Sequence, residues 1–303
     1  MSARTRTWLV PPRLASLAAE RAQLARSSRA IAYVEDGARL LRAWGPPERP
    51  WVVAVGPEGR RWRVEAWGAG PGEARAAVRA LFSLDHDLAR FYALTRNGPA
   101  LRGTERRFRG LRIPRDASVY EALVHSIVGQ QLSVASADAL KRRLFDRTAS
   151  TVRADGFDVP CAPRPSALLK LGTAGLRALG LSATKSRALV ELARWAGSAP
   201  PGTEATLAGA DLPSALAALT ARYGVGRWTA ENALLRGAGR VDVFVAGDLG
   251  VRVALARYAG LPRESPEATA RAWADRHYPG WGSYATLYLW RRLVTEASDR
   301  AAE

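Results

Sequence analysis

A short run of glycines sets the tightest limit on how this chain can fold. Tyr223-Gly224-Val225-Gly226-Arg227-Trp228-Thr229-Ala230 separates two apolar series of helical spacing. Before it, Leu212-Pro213-Ser214 opens a helix with apolar positions at Leu216, Leu219 and Tyr223. After it, Trp228, Ala230, Ala233, Leu234 and Leu235 carry a second helix to Gly237. The spacing predicts helix, glycine hairpin and helix over about 213–237. Glycines at 224 and 226 permit positive φ and leave the backbone uncovered by a Cβ. The exposed N–H groups, with the positive end of the second helix, suit an anion such as a phosphate. A tight turn between packed helices has the same pattern. Downstream stands Asp248, in Gly247-Asp248-Leu249-Gly250-Val251-Arg252. Placed before Leu249, Val251 and Leu255, it also reads as a helix N-cap, worth about 1 kcal/mol.

Composition narrows the class of partner. The 45 basic and 28 acidic residues leave a net charge of +17, which favours polyanions such as nucleic acid. Of the basic residues only Lys141, Lys170 and Lys185 are lysine, an arginine bias that GC-rich coding also produces. With 303 residues and 48% hydrophobic content the chain can bury one or two cores. No apolar run reaches the length of a membrane span, and Met1 to Arg6 lack the hydrophobic stretch of a secretory signal. A cytoplasmic, nucleoid-associated protein without membrane partners is expected. Cys161 is the sole cysteine, which excludes a disulfide, a cysteine-spaced zinc site and a four-cysteine iron–sulfur cluster. His86, His125 and His277 lack metal-ligand spacing and read as structural.

Along the chain, Trp51–Val55 and Trp62–Trp67, joined by Gly56-Pro57-Glu58-Gly59, read as a β-hairpin. Trp62, Val64 and Ala66 alternate there with Arg63, Glu65 and Trp67. Helical runs flank it at about Pro12–Arg26 and Gly72–Phe82. From Leu84 onward the periodicity is helical with no convincing strand, and Thr151–Pro165 and Ala199-Pro200-Pro201-Gly202 read as loops. The expected fold class is α+β, with a small antiparallel-sheet domain at residues 1–84 and a larger all-α domain at 85–303.

The hairpin followed by Asp248 resembles the signature of the helix-hairpin-helix DNA glycosylase superfamily. Within it, the chain is most similar to the bacterial 3-methyladenine DNA glycosylase II family. Tyr120–Ser133, containing Gly129-Gln130-Gln131, resembles the family's helix ending in Gly-Gln-Gln, Leu179-Gly180-Leu181-Ser182 with Lys185 and Arg187 resembles its next helix pair, and Trp281-Gly282-Ser283-Tyr284-Ala285 resembles the tryptophan-containing segment near its C-terminus. The resemblance runs from about Leu81 to Leu293.

It implies a DNA glycosylase of base excision repair, hydrolysing the N-glycosidic bond of alkylated or deaminated purines flipped out of duplex DNA. Asp248 would be the catalytic carboxylate, with Asp242 a weaker candidate. Trp228, Trp281, Gln130 and Asn232 would line the base pocket. Gln131 would wedge into the gap left by the flipped base, no apolar residue being available at that point. Gly224, Gly226, Arg227 and Thr229 would hold a DNA phosphate. Asn232 replaces an aromatic residue of the best-known members, implying a more polar pocket suited to hypoxanthine or ethenoadenine. Trp228 stands where strand-cutting members carry a lysine, so a monofunctional enzyme without AP-lyase activity is expected. The alternatives are a helix-hairpin-helix DNA-binding protein that has lost turnover and an 8-oxoguanine-type glycosylase. The expected partner is double-stranded DNA with a damaged base, bound by a monomer without cofactor or metal.

Overall fold

The computed structural model describes residues 4–25, 33–148, 150–200 and 202–302. Its N-terminal part is an antiparallel sheet of β1 (Arg4–Leu9), β2 (Tyr33–Asp36), β3 (Arg39–Trp44), β4 (Trp51–Glu58) and β5 (Arg61–Trp67), ordered β1-β5-β4-β3-β2. The expected hairpin is β4–β5, with Val53 opposite Ala66 and Val55 opposite Val64. Helices α1 (Leu17–Ala25) and α2 (Pro71–Leu81) match the two expected runs. The Arg26 end of the first lies outside the described residues, as does Pro201 of the expected loop.

Both faces of this sheet are covered, which explains why β4 is buried along most of its length. On one face Val53, Val55, Val64 and Ala66 pack with Ala74, Val78 and Leu81 of α2. On the other, Leu41, Ala43, Val52 and Ala54 meet Ala154, Val159 and Cys161. Ala154 and Val159 belong to a second hairpin, β6 (Thr151–Ala154) and β7 (Phe157–Pro160). This corrects the reading of Thr151–Pro165 as loop and of everything after Leu84 as strand-free. Four-residue strands are too short for an alternating pattern to stand out, and these two exist as a lid on the sheet. The lid also turns Glu65 inward. It is 1% exposed and meets Arg4 at 2.6 Å, Arg6 at 3.2 Å and Arg39 at 3.4 Å. Burial opposes ionisation of its carboxyl, but the hydrogen bond and charge of Arg4, with its arginine neighbours, hold it below the ordinary carboxylate range.

The remainder is helical: α3 (Leu88–Asn97), α4 (Thr104–Arg107), α5 (Val119–Gly129), α6 (Val134–Thr148), α7 (Pro165–Ala178), α8 (Ala183–Ser198) and α9 (Thr203–Gly209). Then follow α10 (Leu212–Thr220), α11 (Arg227–Ala233) with a π-helical continuation at Leu234–Ala238, α12 (Leu249–Ala259), α13 (Glu267–His277) and α14 (Gly282–Ala302). Among the described residues no helix is long and apolar enough to cross a membrane.

Helix α5 lies at the centre, buried at every position from Val119 to Val128. Its N-terminal amides at Val119 and Tyr120 donate to the Glu204 carboxylate of α9, at 2.8 and 3.3 Å. Glu121, one turn in, forms an ion pair with Arg42 of β3, each side chain being 1% exposed. That pair ties the sheet to the helices. Burial opposes ionisation of Glu121, but Arg42 and His125 hold its carboxyl below the usual range. Replacing Glu121 by Gln leaves a buried guanidinium without its counter-charge, and urea unfolding at pH 7 is expected to show a loss of about 3–5 kcal/mol. Because the folded-state pKa is depressed, the pair stabilises fully above the unfolded glutamate value of about 4.3 and fails as pH falls below it. Glu121→Gln should therefore flatten the decline of wild-type stability below that pH.

Candidate active site

Helix α10 begins at Asp211, whose carboxylate accepts the Ser214 N–H at 2.8 Å. It ends before Tyr223, which is 40% exposed beneath the Arg187 guanidinium and does not complete the expected buried face. Gly224 then adopts φ 77°, and a Cβ there would meet the Ala188 Cβ of α8 at 2.4 Å. Conformation and packing both require glycine. Gly226 differs from expectation, with φ −79° and nothing within 4 Å of the position a Cβ would take. Among the described residues nothing needs a glycine there. Beyond it, the first amides of α11 have no carbonyl behind them in the helix, and among the described residues no side-chain cap hydrogen bond meets them.

The expected phosphate and pocket residues divide into two groups. Arg227 is exposed at the helix start, its Nε 2.9 Å from Glu231. Thr229 is buried, and its hydroxyl accepts from Gln130 Nε2 at 2.9 Å; the same amide donates to the Gly224 carbonyl at 3.0 Å. Gln130 and Thr229 thus hold the hairpin from inside, and the Thr229 hydroxyl does not face outward toward a phosphate. Asn232 is also buried, its amide nitrogen donating to the Trp228 carbonyl at 3.0 Å. That contact keeps the Asn232 N–H within α11. Gln131 is exposed at φ 53° in the turn before α6, with Leu132 and Val134 40% and 70% exposed beside it. An apolar side chain is therefore available at this turn, contrary to the sequence expectation.

Asp248 takes the capping role that its sequence position allowed and also meets the hairpin. As N-cap of α12 it accepts the Val251 N–H on Oδ1 at 3.0 Å. Its Oδ2 accepts from Trp228 Nε1 at 3.0 Å, which joins the carboxylate to the hairpin. A further indole, Trp290 Nε1 of α14, donates to Oδ1 at 2.7 Å. Trp290 escaped the sequence reading, because a bond between residues 42 positions apart has no local pattern. Asp242 is taken up side-on by Nε and Nη2 of Arg240, at 2.9 and 2.6 Å.

The loop leading to Asp248 is held from outside. Ser283 accepts the Val243 N–H and Thr286 the Val245 N–H, each at 3.2 Å. A Cβ on Gly282 would lie 2.8 Å from Phe244 N, so glycine lets the start of α14 close against the loop. Arg271 of α13 donates to Phe244 O at 3.3 Å and pairs with buried Glu231 of α11. Burial raises the Glu231 carboxyl despite Arg271 and Arg227. Trp281 is half-buried, its ring centroid 5.9 Å from Phe91 and 5.5 Å from Tyr284. Among the described residues no hydrogen bond or ring contact joins it to Trp228 or Asp248.

Other features lie away from this constellation. Cavities of about 670 and 430 Å³ have neither Trp228 nor Asp248 in their walls. Asp116, Glu121 and His125 each bring one potential metal-ligand atom within 4.8 Å of the others, a grouping their sequence spacing did not suggest. Glu121 is already committed to Arg42, so a cation there would sit beside a buried guanidinium. Burial lowers the pKa of His86 to about 4 while it bonds Tyr284, and His125 stacks on Phe145.

The model of the HhH-GPD superfamily of base excision DNA repair proteins matches residues 124–276, just over half of the chain. The chain belongs to the HhH-GPD superfamily. The HhH-GPD match contains the hairpin and Asp248 and stops before Trp281 and Trp290. DNA-3-methyladenine glycosylase 2 of Escherichia coli is 34% identical over 182 residues, 60% of each protein, so the alignment spans less than two thirds of that relative. A Bacillus subtilis DNA-3-methyladenine glycosylase is 28% identical over 71% of each. The structure of 3-methyladenine DNA-glycosylase from Archaeoglobus fulgidus superposes with a TM-score of 0.79 at 26% identity, covering 95% of this chain and 98% of that one.

The two HhH-GPD hairpin glycines are expected to respond differently to alanine. Gly224→Ala combines a left-handed φ with a steric clash and should destabilise the fold by at least about 1–2 kcal/mol. Gly226→Ala should leave thermal unfolding unchanged and weaken duplex binding about tenfold, the worth of one hydrogen bond to a charged group. Thermal melts and fluorescence-anisotropy titrations of both variants check this.

Proposed function

We propose that this protein is a monofunctional DNA glycosylase that excises alkylated or deaminated purines from duplex DNA. The observation that carries the reading is the bond from Trp228 to Asp248, which couples an aromatic surface at the glycine hairpin to a carboxylate. Unstacking a nucleotide costs a few kcal/mol, which phosphate contacts at Gly224, Gly226 and Arg227 and stacking on Trp228 would offset. A cationic base such as 3-methyladenine is favoured over its neutral counterpart on an indole face.

Cleavage breaks the bond between C1′ and the base nitrogen, and the bonding pair leaves with the base. An alkylated cationic base departs neutral and needs no general acid. Positive charge develops on the deoxyribose, and the Asp248 carboxylate stabilises it. Water adds its oxygen to C1′ and passes its proton to the Asp248 carboxylate, which returns it to solvent, leaving a free base and an abasic strand. Strand cutting would require an amine at C1′. Lys185 packs near the hairpin, but its Nζ donates to the Val128 and Gln130 carbonyls at 3.0 and 2.7 Å. An ammonium engaged in closing the end of α5 supports hydrolysis alone. The buried Asn232 amide leaves the pocket wall to Trp228, which favours cationic purines over the hydrogen-bonding lesions that its polarity suggested.

Duplexes carrying 3-methyladenine, 7-methylguanine, hypoxanthine, ethenoadenine or 8-oxoguanine, incubated with wild type and Asp248→Asn and then treated with alkali, test this reading. Wild type should release the alkylated purines, and the variant should lose about 10²-fold or more in rate while still binding DNA. Binding without release of any base would remove the enzyme reading, and release of 8-oxoguanine alone would favour the other glycosylase class. Borohydride should trap no covalent complex; a trapped one would overturn the monofunctional assignment.

A further inference from the structure

We infer that Trp290 is a positioning residue for the reaction, fixing the Asp248 carboxylate through its indole N–H. This rests on the assignment of Asp248 as the catalytic carboxylate. A helix-capping aspartate receives one bond from its own helix, here Val251 N to Oδ1, and can still pivot about it. Trp290 adds a second donor on Oδ1 at 2.7 Å, and Trp228 a donor on Oδ2 at 3.0 Å. The two indoles come from separate helices, so the carboxylate plane is fixed from two sides. Each indole is a donor only, so neither can take up a proton. The asymmetry leaves Oδ1 with two partners and Oδ2 with one, so Oδ2 keeps an acceptor site for the sugar or the attacking water.

The surroundings are shaped to admit this ring. A Cβ on Gly250 would stand 3.2 Å from Asp248 Oδ1 and 3.3 Å from Trp290 Cδ1, so the missing side chain is the space through which the indole reaches the carboxylate. Gly250 lies within the first turn of α12, where alanine is the better helix former. Arg236 places its guanidinium 5.5 Å from the Trp290 ring centroid, where a cation draws ring density and strengthens the N–H as a donor. Ser283 and Thr286, which hold the backbone of the preceding loop, precede Trp290 on α14 at helical spacing, so one helix secures both the loop and its terminal carboxylate.

The test uses single-turnover base release by the full-length chain, on the duplex that wild type cleaves fastest among the five above. Trp290→Phe keeps an aromatic ring and removes the N–H. It should slow release about tenfold, the effect of losing one hydrogen bond to a charged group, with affinity for a tetrahydrofuran abasic-site duplex within about twofold of wild type. In an Asp248→Asn background the same change should cost less than about twofold, because the oriented charge is already gone. Gly250→Ala provides a second route if Trp290→Phe folds poorly: it should slow release while the melting temperature holds or rises. Wild-type rates in both single variants, or an equal loss from Trp290→Phe with and without the Asp248 charge, would overturn the inference. If Asp248→Asn itself releases base at the wild-type rate, the catalytic assignment falls; if only the Trp290 and Gly250 variants do, the positioning role falls and Asp248 stands.

Discussion

A helix buried on every side must find partners for its polar groups inside the protein, and α5 imposes that condition here. Glu204 receives its first amides, Arg42 reaches Glu121 from the sheet, and Lys185 closes its last carbonyls from α8. Each of these partners lies on a different element, so satisfying one helix fixes the relative positions of α9, β3 and α8. Gln130, just beyond the helix end, extends the arrangement into the hairpin by binding Gly224 and Thr229. The segment proposed to meet DNA is therefore anchored to the most buried part of the fold. An unpaired polar group in such a place costs about 1–3 kcal/mol, which makes the arrangement cooperative.

The proposed chemistry is assembled at the meeting of three segments: the hairpin with α11, the loop into α12, and α14. The hairpin contributes an uncovered backbone and an indole, the loop contributes a carboxylate, and α14 fastens the loop by backbone bonds. Because α13 also reaches Phe244 through Arg271, the loop is held from several directions without regular structure of its own. Rigidity of this kind suits electrostatic stabilisation, which depends on dipoles and charges already in place when the transition state forms.

Much of this was legible in local pattern, and the failures share one cause. The hairpin, its helices, the β4–β5 ribbon and the capping role of Asp248 all follow from short-range spacing and turn chemistry. Glycine type did not distinguish Gly224, which the fold itself needs, from Gly226, which it does not. Gln130, Thr229 and Asn232 stand where the resemblance implies contact with a base or a phosphate, yet each has a side-chain hydrogen bond to the protein itself. Strands β6 and β7 owe their existence to the sheet they cover, and Trp290 finds Asp248 across 42 residues. A contact made between distant segments leaves no periodicity for a sequence reading to detect.

Asp248 holds the first turn of α12 with one oxygen and presents the other toward the hairpin. A change that discards the carboxylate altogether also unfastens a helix end, at about 1 kcal/mol. Drift away from the proposed activity at this position is thus opposed by folding even when no damaged DNA is present. Asparagine and serine are the exceptions, since each caps about as well and carries no charge. Descendants of this chain that had become plain DNA binders would be recognisable by such a substitution.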